Sequence, residues 1–324
     1  MNDKHIGVII DFLTPAYEER ITQAAAKHGY SVRYFSSSAA AVGHVDDCEI
    51  LYGHCSQKVL RSAKNLKWFC CCWAGVERMC DDSLYANPDC LLTNSSGAYG
   101  TTIAEHLIMV ALMLLRRQME YTQIIHERDW RVLPGKIRSL YDSRITVLGT
   151  GDIGTEFARR VQAFHPQKVV GIQRTAHSSD PAFTETFPSS ALKRILPQTD
   201  LLIMALPSTP DTIGILSRER ISLLPKSSYV INVGRGNALD QDALIDALNH
   251  GHLAGAALDV VTPEPLPPDH PLRFAKNLLL TPHVAGNVTL GHTCDLNIEM
   301  FLSDLDNFAS GRPLKHLIDR KKGY

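Results

Sequence analysis

Long apolar runs are missing from this chain. Its most hydrophobic helix-like stretch, IAEHLIMVALMLL, carries Glu105 and His106 and is too short to cross a bilayer. Net charge is also nearly absent: 33 Lys and Arg against 34 Asp and Glu leave a formal −1. No broad basic field is therefore available to recruit nucleic acid or an acidic membrane, and an anionic small molecule would need a local cation. No CxxC pair and no Cys/His cluster with zinc spacing occurs, so no metal site is expected. Of the eight cysteines, Cys70, Cys71 and Cys72 are adjacent in WFCCCWAG; in a strand they alternate faces and cannot converge on one ion. Buried thiols in a reducing compartment are the expected reading. Internal repeats of short period and low-complexity tracts are lacking too. At the N-terminus, MNDKHIGVIIDFL has a short apolar run from Ile6 to Ile10 stopped by Asp11, which suits a first β-strand better than a signal segment. A cytoplasmic protein without nucleic-acid or membrane partners is expected.

What is present is a repeated alternation of strand and helix. The 324 residues suit two domains of ordinary size. HIGVIIDF, SVRYFS, EILYG, LKWFCCCW and CLLTN read as strands. PAYEERITQAAAKHG and SQKVLRSAK read as helices, the first closed by Gly29. From Thr101 to about Trp130 runs one long helical pattern, introduced by the Gly/Ser/Thr cluster SSGAYGTT and apolar on more than one side. A homodimer interface on it is expected. A second series follows, with strands RITVLG, VVGIQR, LLIMALP, YVINVG, AALDVV and NLLLTP, the pattern of a doubly wound, parallel-sheet α/β domain. The last helical segment, GHTCDLNIEMFLSDLDNFASG, is expected to return to the first domain, since chain ends tend to lie together.

The second series opens on GTGDIG, directly after RITVL and at the start of a helix. In that context Gly149 permits a tight turn, Gly151 lets the backbone approach a pyrophosphate, and Gly154 lets helix and strand pack closely. The helix N-terminus adds free N–H groups and a positive dipole end. A dinucleotide site is expected. An NAD-preferring site carries an acid at the end of the next strand to bond the ribose hydroxyls. Here Gln173, Arg174 and Thr175 stand in that place. A cation and two hydrogen-bonding side chains suit a 2′-phosphate, so NADPH/NADP is favoured over NADH/NAD.

Three charged residues close three later strands: Arg235 after YVINVG, Glu264 after AALDVVTP and His283 after LLLTP. Each alone is an ordinary surface residue. Their shared position at the carboxyl edge of one sheet, where open α/β folds bind ligands, changes that. Carbonyl reduction needs a hydride donor, a proton donor and a clamp. Arg235 can hold a carboxylate or carbonyl oxygen in its planar fork. His283 can give the proton near neutral pH, and Glu264 beside it would favour the imidazolium and lock the ring. The set is complete for reduction of a 2-keto acid.

Through these residues the chain resembles the D-isomer-specific 2-hydroxyacid dehydrogenases. The likeness runs over nearly the whole length, in LKWFCCCWAGVE, TNSSGAYGTTIAEHLIMVALMLLRR, VLGTGDIG, ALPSTPDTIGIL, INVGRGNALDQDALIDAL, GHLAGAALDVVTPEPLP and LLLTPHVAG. It implies that Arg235, Glu264 and His283 are catalytic and that the backbone at Gly75 and Val76 binds the substrate carboxylate. It implies a cofactor site from Gly149, Gly151, Asp152, Ile153 and Gly154, continued by Pro207, Thr209 and Val233, with Asp259 bonding the nicotinamide amide. The implied fold is two Rossmann-like domains: a discontinuous substrate domain, 1–97 and 290–324, and an inserted cofactor domain, 98–289, with dimers built on the helix 101–130. Tyr52, His54 and Tyr99 are expected to line or approach the substrate pocket. The missing acid after the second cofactor-domain strand resembles NADPH-using glyoxylate and hydroxypyruvate reductases. Formate dehydrogenase relatives carry glutamine where this chain has Glu264, so that activity is disfavoured. The alternative function on the same fold is a dinucleotide-sensing corepressor, which has no need of a Glu264–His283 pair.

Overall fold

The structure, a computed structural model, describes residues 4–174 and 180–323. It divides into two units: the residues up to Tyr99 together with those from Val288 onward, and Gly100–Asn287. In unit 1 the strands β1 (Lys4–Ile9), β2 (Tyr30–Tyr34), β3 (Cys48–Gly53), β4 (Trp68–Cys71) and β5 (Leu91–Thr93) form a parallel sheet in the order β2-β1-β3-β4-β5. The crossovers carry α1 (Pro15–Lys27), α2 (Ser38–Ala41) and α3 (Gln57–Ser62). Thr14 starts α1 by accepting from the Tyr17 amide, with Pro15 at the first helical position, and Gly29 at φ +74° lets the chain leave it. Both faces of the sheet are covered, which is why its strands are apolar throughout. Phe69 and Cys71 pack with Leu51, Val59 and Leu60 on one side. Trp68, Cys70 and Cys72 join Ile50, Tyr52 and the C-terminal helix Gly291–Ala309 on the other, through Ile298 and Phe301. The three adjacent cysteines thus do alternate faces, and burial pushes the Cys71 thiol up to about 12.

Unit 2 holds β6 (Arg144–Leu148), β7 (Lys168–Gln173), β8 (Glu185–Pro188), β9 (Leu201–Met204), β10 (Tyr229–Asn232), β11 (Gly255–Leu258) and β12 (Leu278–Leu280). They pair in parallel in the order β12-β11-β10-β9-β6-β7-β8, the doubly wound arrangement of dinucleotide-binding domains extended by one strand. Its helices are α4 (Gly100–Leu115), α5 (Gln118–His126), α6 (Asp152–Val161), α7 (Leu192–Ile195), α8 (Arg218–Leu223) and α9 (Gln241–Asn249). The short edge strand β8, ETFP, has no apolar alternation to announce it and ends on a proline, as an edge tolerates. Among the described residues no helix is long and apolar enough to cross a membrane.

One expectation is corrected here. The helix read as continuous over 101–130 is broken after Leu115, and α5 ends at His126. The break is at Arg117, in left-handed backbone at φ 58°, whose guanidinium bonds both oxygens of Glu120 and, at 2.6 Å, the Pro134 carbonyl. The cause is tertiary, a carbonyl seventeen residues on, and LLRRQME contains no glycine or proline to signal it.

Candidate active site

The loop from β6 to α6 is built by its glycines. Gly149 has φ +98°, and a Cβ there would lie 2.6 Å from the Ala205 carbonyl oxygen. A Cβ on Gly154 would stand 1.9 Å from the Gly149 oxygen, so only glycine lets the first turn of α6 close onto the loop. Gly151, the N-cap of α6, is different: it is exposed, and a Cβ would meet nothing within 4 Å. Its backbone faces open space at the amino end of a helix, followed by Asp152 and Ile153 in the first turn. The loop emerges from β6, which sits between β9 and β7 where the winding direction reverses. On the other side of that switch point, Pro207 and Thr209 follow β9, with Thr212 Oγ1 donating to the Pro207 carbonyl and accepting from the Thr209 amide. Val233 follows β10 and hangs from the Met204 carbonyl by its amide at 3.0 Å. These residues fit a dinucleotide.

At the end of β7, Gln173 accepts a 2.5 Å hydrogen bond from Thr150 Oγ1 on its Oε1, and its buried Nε2 has no partner among the described residues. A side chain held in that way offers a donor and no charge. Arg174 beside it is exposed, and Thr175 lies outside the described residues.

Arg235 is held by the turn around it. Asn232 at the end of β10 accepts from the Gly234 amide and donates to the Arg235 carbonyl. A Cβ on Gly234 would lie 2.5 Å from the Leu206 carbonyl oxygen, and one on Gly236 would lie 2.2 Å from the Val261 carbonyl carbon. Both flanking glycines are packing requirements, and between them the arginine is half-buried with one guanidinium nitrogen on the Gly234 carbonyl.

Glu264 and His283 meet directly. His283 Nδ1 donates to Glu264 Oε2 at 2.8 Å, since a carboxylate there can only accept. The other oxygen, Oε1, accepts from the Val261 amide at 3.0 Å. The peptide bonds before Pro263 and Pro265 are both cis. With Nδ1 so engaged, Nε2 is the nitrogen left to exchange a proton, on a side chain that is 52% exposed. His283 has φ 55°, a backbone conformation that costs a non-glycine residue about 1–3 kcal/mol unless its surroundings impose it. Asp259 does so. Its carbonyl accepts from the His283 amide, Oδ1 accepts from Thr281 Oγ1 and the Val284 amide, and Oδ2 accepts from the Ala285 amide. Asp259 is 4% exposed, and these bonds leave its carboxylate about one free lone pair of four for a ligand amide.

The residues expected to touch substrate in unit 1 are placed unevenly. His54 is exposed, directly beyond Gly53 at the end of β3, with its amide on the Ile9 carbonyl; this is the switch point between β1 and β3. Gly75 and Val76 follow β4 on the same edge, and among the described residues of unit 1 no hydrogen bond uses their amides. Tyr52 and Tyr99 are buried instead of lining a pocket. Tyr52 has no exposed surface, is stacked on Phe301 at 4.1 Å, and its hydroxyl is unpartnered. Tyr99 is 3% exposed and donates to the Cys72 carbonyl. Because the sheet is covered on both faces, Tyr52 inside β3 is enclosed, and the surface belongs to the residue past the strand end. Among the described residues no group of His, Cys, Asp and Glu could hold a metal ion. Sequence reasoning missed Asn232 and Thr281. The Asn-x-Gly spacing of an Asx turn could have flagged the first. Nothing local marks the second.

Strand order and glycine loop make unit 2 a dinucleotide-binding domain, and the Glu264–His283 pair and Arg235 lie on the same sheet edge. Residues 108–285 match the family model described as D-isomer specific 2-hydroxyacid dehydrogenase, NAD binding domain. The chain belongs to the D-isomer-specific 2-hydroxyacid dehydrogenases, enzymes that work with NAD(P). It is 30% identical over 226 residues to glyoxylate/hydroxypyruvate reductase A of Salmonella typhimurium, covering 69% of this chain and 70% of that protein. Among solved structures, a D-isomer specific 2-hydroxyacid dehydrogenase family protein of Aeromonas salmonicida superposes with a TM-score of 0.86 at 28% identity, over 98% of this chain and 99% of that one. The NADPH-dependent glyoxylate/hydroxypyruvate reductase of Sinorhizobium meliloti, solved with NADP and sulfate, gives 0.82 at 26% identity, over 99% and 100%.

Proposed function

We propose that this 2-hydroxyacid dehydrogenase reduces small 2-keto acids of the glyoxylate and hydroxypyruvate type to D-2-hydroxy acids, with NADPH preferred over NADH. The observation that carries the chemistry is the 2.8 Å bond from His283 Nδ1 to Glu264. Glu264 accepts the hydrogen bond from Nδ1–H and so fixes the ring, and in the protonated ring Nε2 carries the second proton. The Nε2 proton can then pass to the oxygen of a keto group as that oxygen gains charge. Arg235 is the fixed cation on the same edge, suited to hold that oxygen and stabilise the charge. The bound reduced nicotinamide supplies the hydride. In unit 1 the unbonded amides of Gly75 and Val76 suit a small carboxylate, and His54 is the neighbouring side chain with surface to offer. The remaining lone pair of Asp259 suits the nicotinamide amide.

The preference for NADPH rests on Gln173 and Arg174. The end of β7 carries a donor and a cation, and the carboxylate that would repel a 2′-phosphate is missing. The Sinorhizobium meliloti relative is named as NADPH-dependent. A homodimer in the cytoplasm completes the reading.

The test is loss of the reduced-nicotinamide absorbance, with NADPH against NADH, over glyoxylate, hydroxypyruvate, pyruvate and a branched keto acid. Faster turnover with NADPH on the two smallest hydrophilic acids is expected. Preference for NADH would remove the reading of Gln173 and Arg174 and leave the chemistry standing. No turnover with any acid would remove the substrate class.

A further inference from the structure

We propose that Thr281 is a positioning residue for His283, acting through Asp259: its hydroxyl orients the buried carboxylate that holds residues 283–285 in the conformation presenting the imidazole to Glu264. The proposal rests on His283 being the proton donor. Between β12 and the next segment the chain makes one tight turn, and Asp259 gathers it. Four donors reach this one residue: the Thr281 hydroxyl at 2.6 Å, the Val284 amide at 2.9 Å, the Ala285 amide at 3.0 Å, and the His283 amide, at 2.9 Å, on the carbonyl. The carboxylate is buried and its bonds in unit 2 come from neutral groups, so its orientation depends on them. Of these, the threonine hydroxyl is the one side-chain donor and the shortest bond.

Thr281 is suited to the task in two ways. Its single hydroxyl proton is committed to Asp259, and the oxygen's lone pairs turn toward His106 Nε2 on α4, 3.5 Å away. Its branched Cβ restricts χ1, so the donor is directed before the turn forms. His283 needs such support, because at φ 55° it would relax toward negative φ if the Asp259 frame loosened. That relaxation swings Nδ1 away from Glu264. Thr281 touches neither substrate nor cofactor in this account; it sets where the proton donor stands.

The test compares Thr281→Val, which keeps shape and loses the hydroxyl, with Thr281→Ser, which keeps the hydroxyl. The valine variant is expected to lose about 10- to 100-fold in kcat, the scale of a misplaced catalytic group, with the KM for keto acid within about threefold of wild type and a weaker hold on cofactor, to which Asp259 offers one acceptor. The serine variant is expected to recover kcat to within about threefold. A valine variant with wild-type kcat, or a serine variant as slow as valine, would overturn the proposal. Amide hydrogen exchange supplies a readout independent of turnover. Val284 and Ala285 should exchange faster in Thr281→Val, while the Gly149–Gly154 loop keeps its protection. If the wild-type protein reduces no keto acid, the functional reading fails, and exchange at 284–285 alone decides: faster exchange keeps Thr281's hold on the turn, and unchanged exchange removes it.

Discussion

A proton donor and an anion clamp should fail differently when removed. In the proposed mechanism His283→Ala takes away the group that protonates the developing alkoxide and leaves the binding contacts of Arg235 and the glycine loop in place. Its kcat should fall by about 10²- to 10⁴-fold, the usual worth of a positioned general acid, with KM little changed. Arg235→Ala removes a charge that acts on bound substrate and on the transition state alike, so KM should rise and kcat fall less. Steady-state kinetics with the best keto acid separates the two. Near-wild-type turnover in the histidine variant would withdraw the Glu264–His283 assignment. The residue scale is also where sequence and structure agree least. Arg235, Glu264 and His283 were legible because each ends an apolar run with a charge, and three such ends fall on one edge. Tyr52 is misplaced by a reading of the sequence because it still lies inside a strand covered on both faces, and exposure begins only past the strand end, at His54. Thr281 was invisible, since its role depends on Asp259, twenty-two residues earlier.

At the scale of elements, the loop between β6 and α6 makes two of its glycines distinguishable. Gly154→Ala would drive a Cβ against the Gly149 carbonyl oxygen, so the helix must back away from the strand. Overpacking of this kind costs about 1–3 kcal/mol, and the variant should melt several degrees lower even without cofactor. Gly151→Ala meets nothing within the protein, at a φ of −75° that alanine adopts freely. Its melting temperature should stay close to wild type, while cofactor affinity falls because the methyl occupies the space before the helix N-terminus. Thermal melts with and without NADPH decide between the two patterns, and a Gly151→Ala variant that binds cofactor normally would remove the loop from the site. The loop was readable because glycine's conformational demands are local and recur at fixed spacing. The break at Arg117 and the strand β8 were not, because a carbonyl from Pro134 and the exposed edge of β7 decide them, and both are tertiary neighbours.

At the scale of the whole molecule, the proposed dimer has a candidate surface in one stretch of unit 2. Trp130 is 92% exposed and Val132 87%, and Met109, Ile125, Ile137 and Tyr141, from α4 through the segment after α5, add further exposed apolar surface. Single exposed apolar side chains are ordinary, but a tryptophan and a valine left almost fully in water, with four more within about thirty residues, suit the proposed dimer contact. Residues 127–139 after α5 have no regular secondary structure and are mostly exposed, and they are tied back to α4 by the Arg117–Pro134 bond and by the Arg138 amide on the Leu115 carbonyl. The net charge near zero puts little electrostatic repulsion in the way of a second copy. Sedimentation equilibrium should therefore give twice the chain mass for the wild-type protein. The double variant Trp130→Ser with Val132→Ser should shift toward the single-chain mass, with unit 2 still folded by circular dichroism, because neither side chain belongs to a core. A wild-type protein that stays at the single-chain mass at micromolar concentration would show that this surface has another partner or none, and the dimer would have to be given up while the chemistry proposed at His283 stood unchanged.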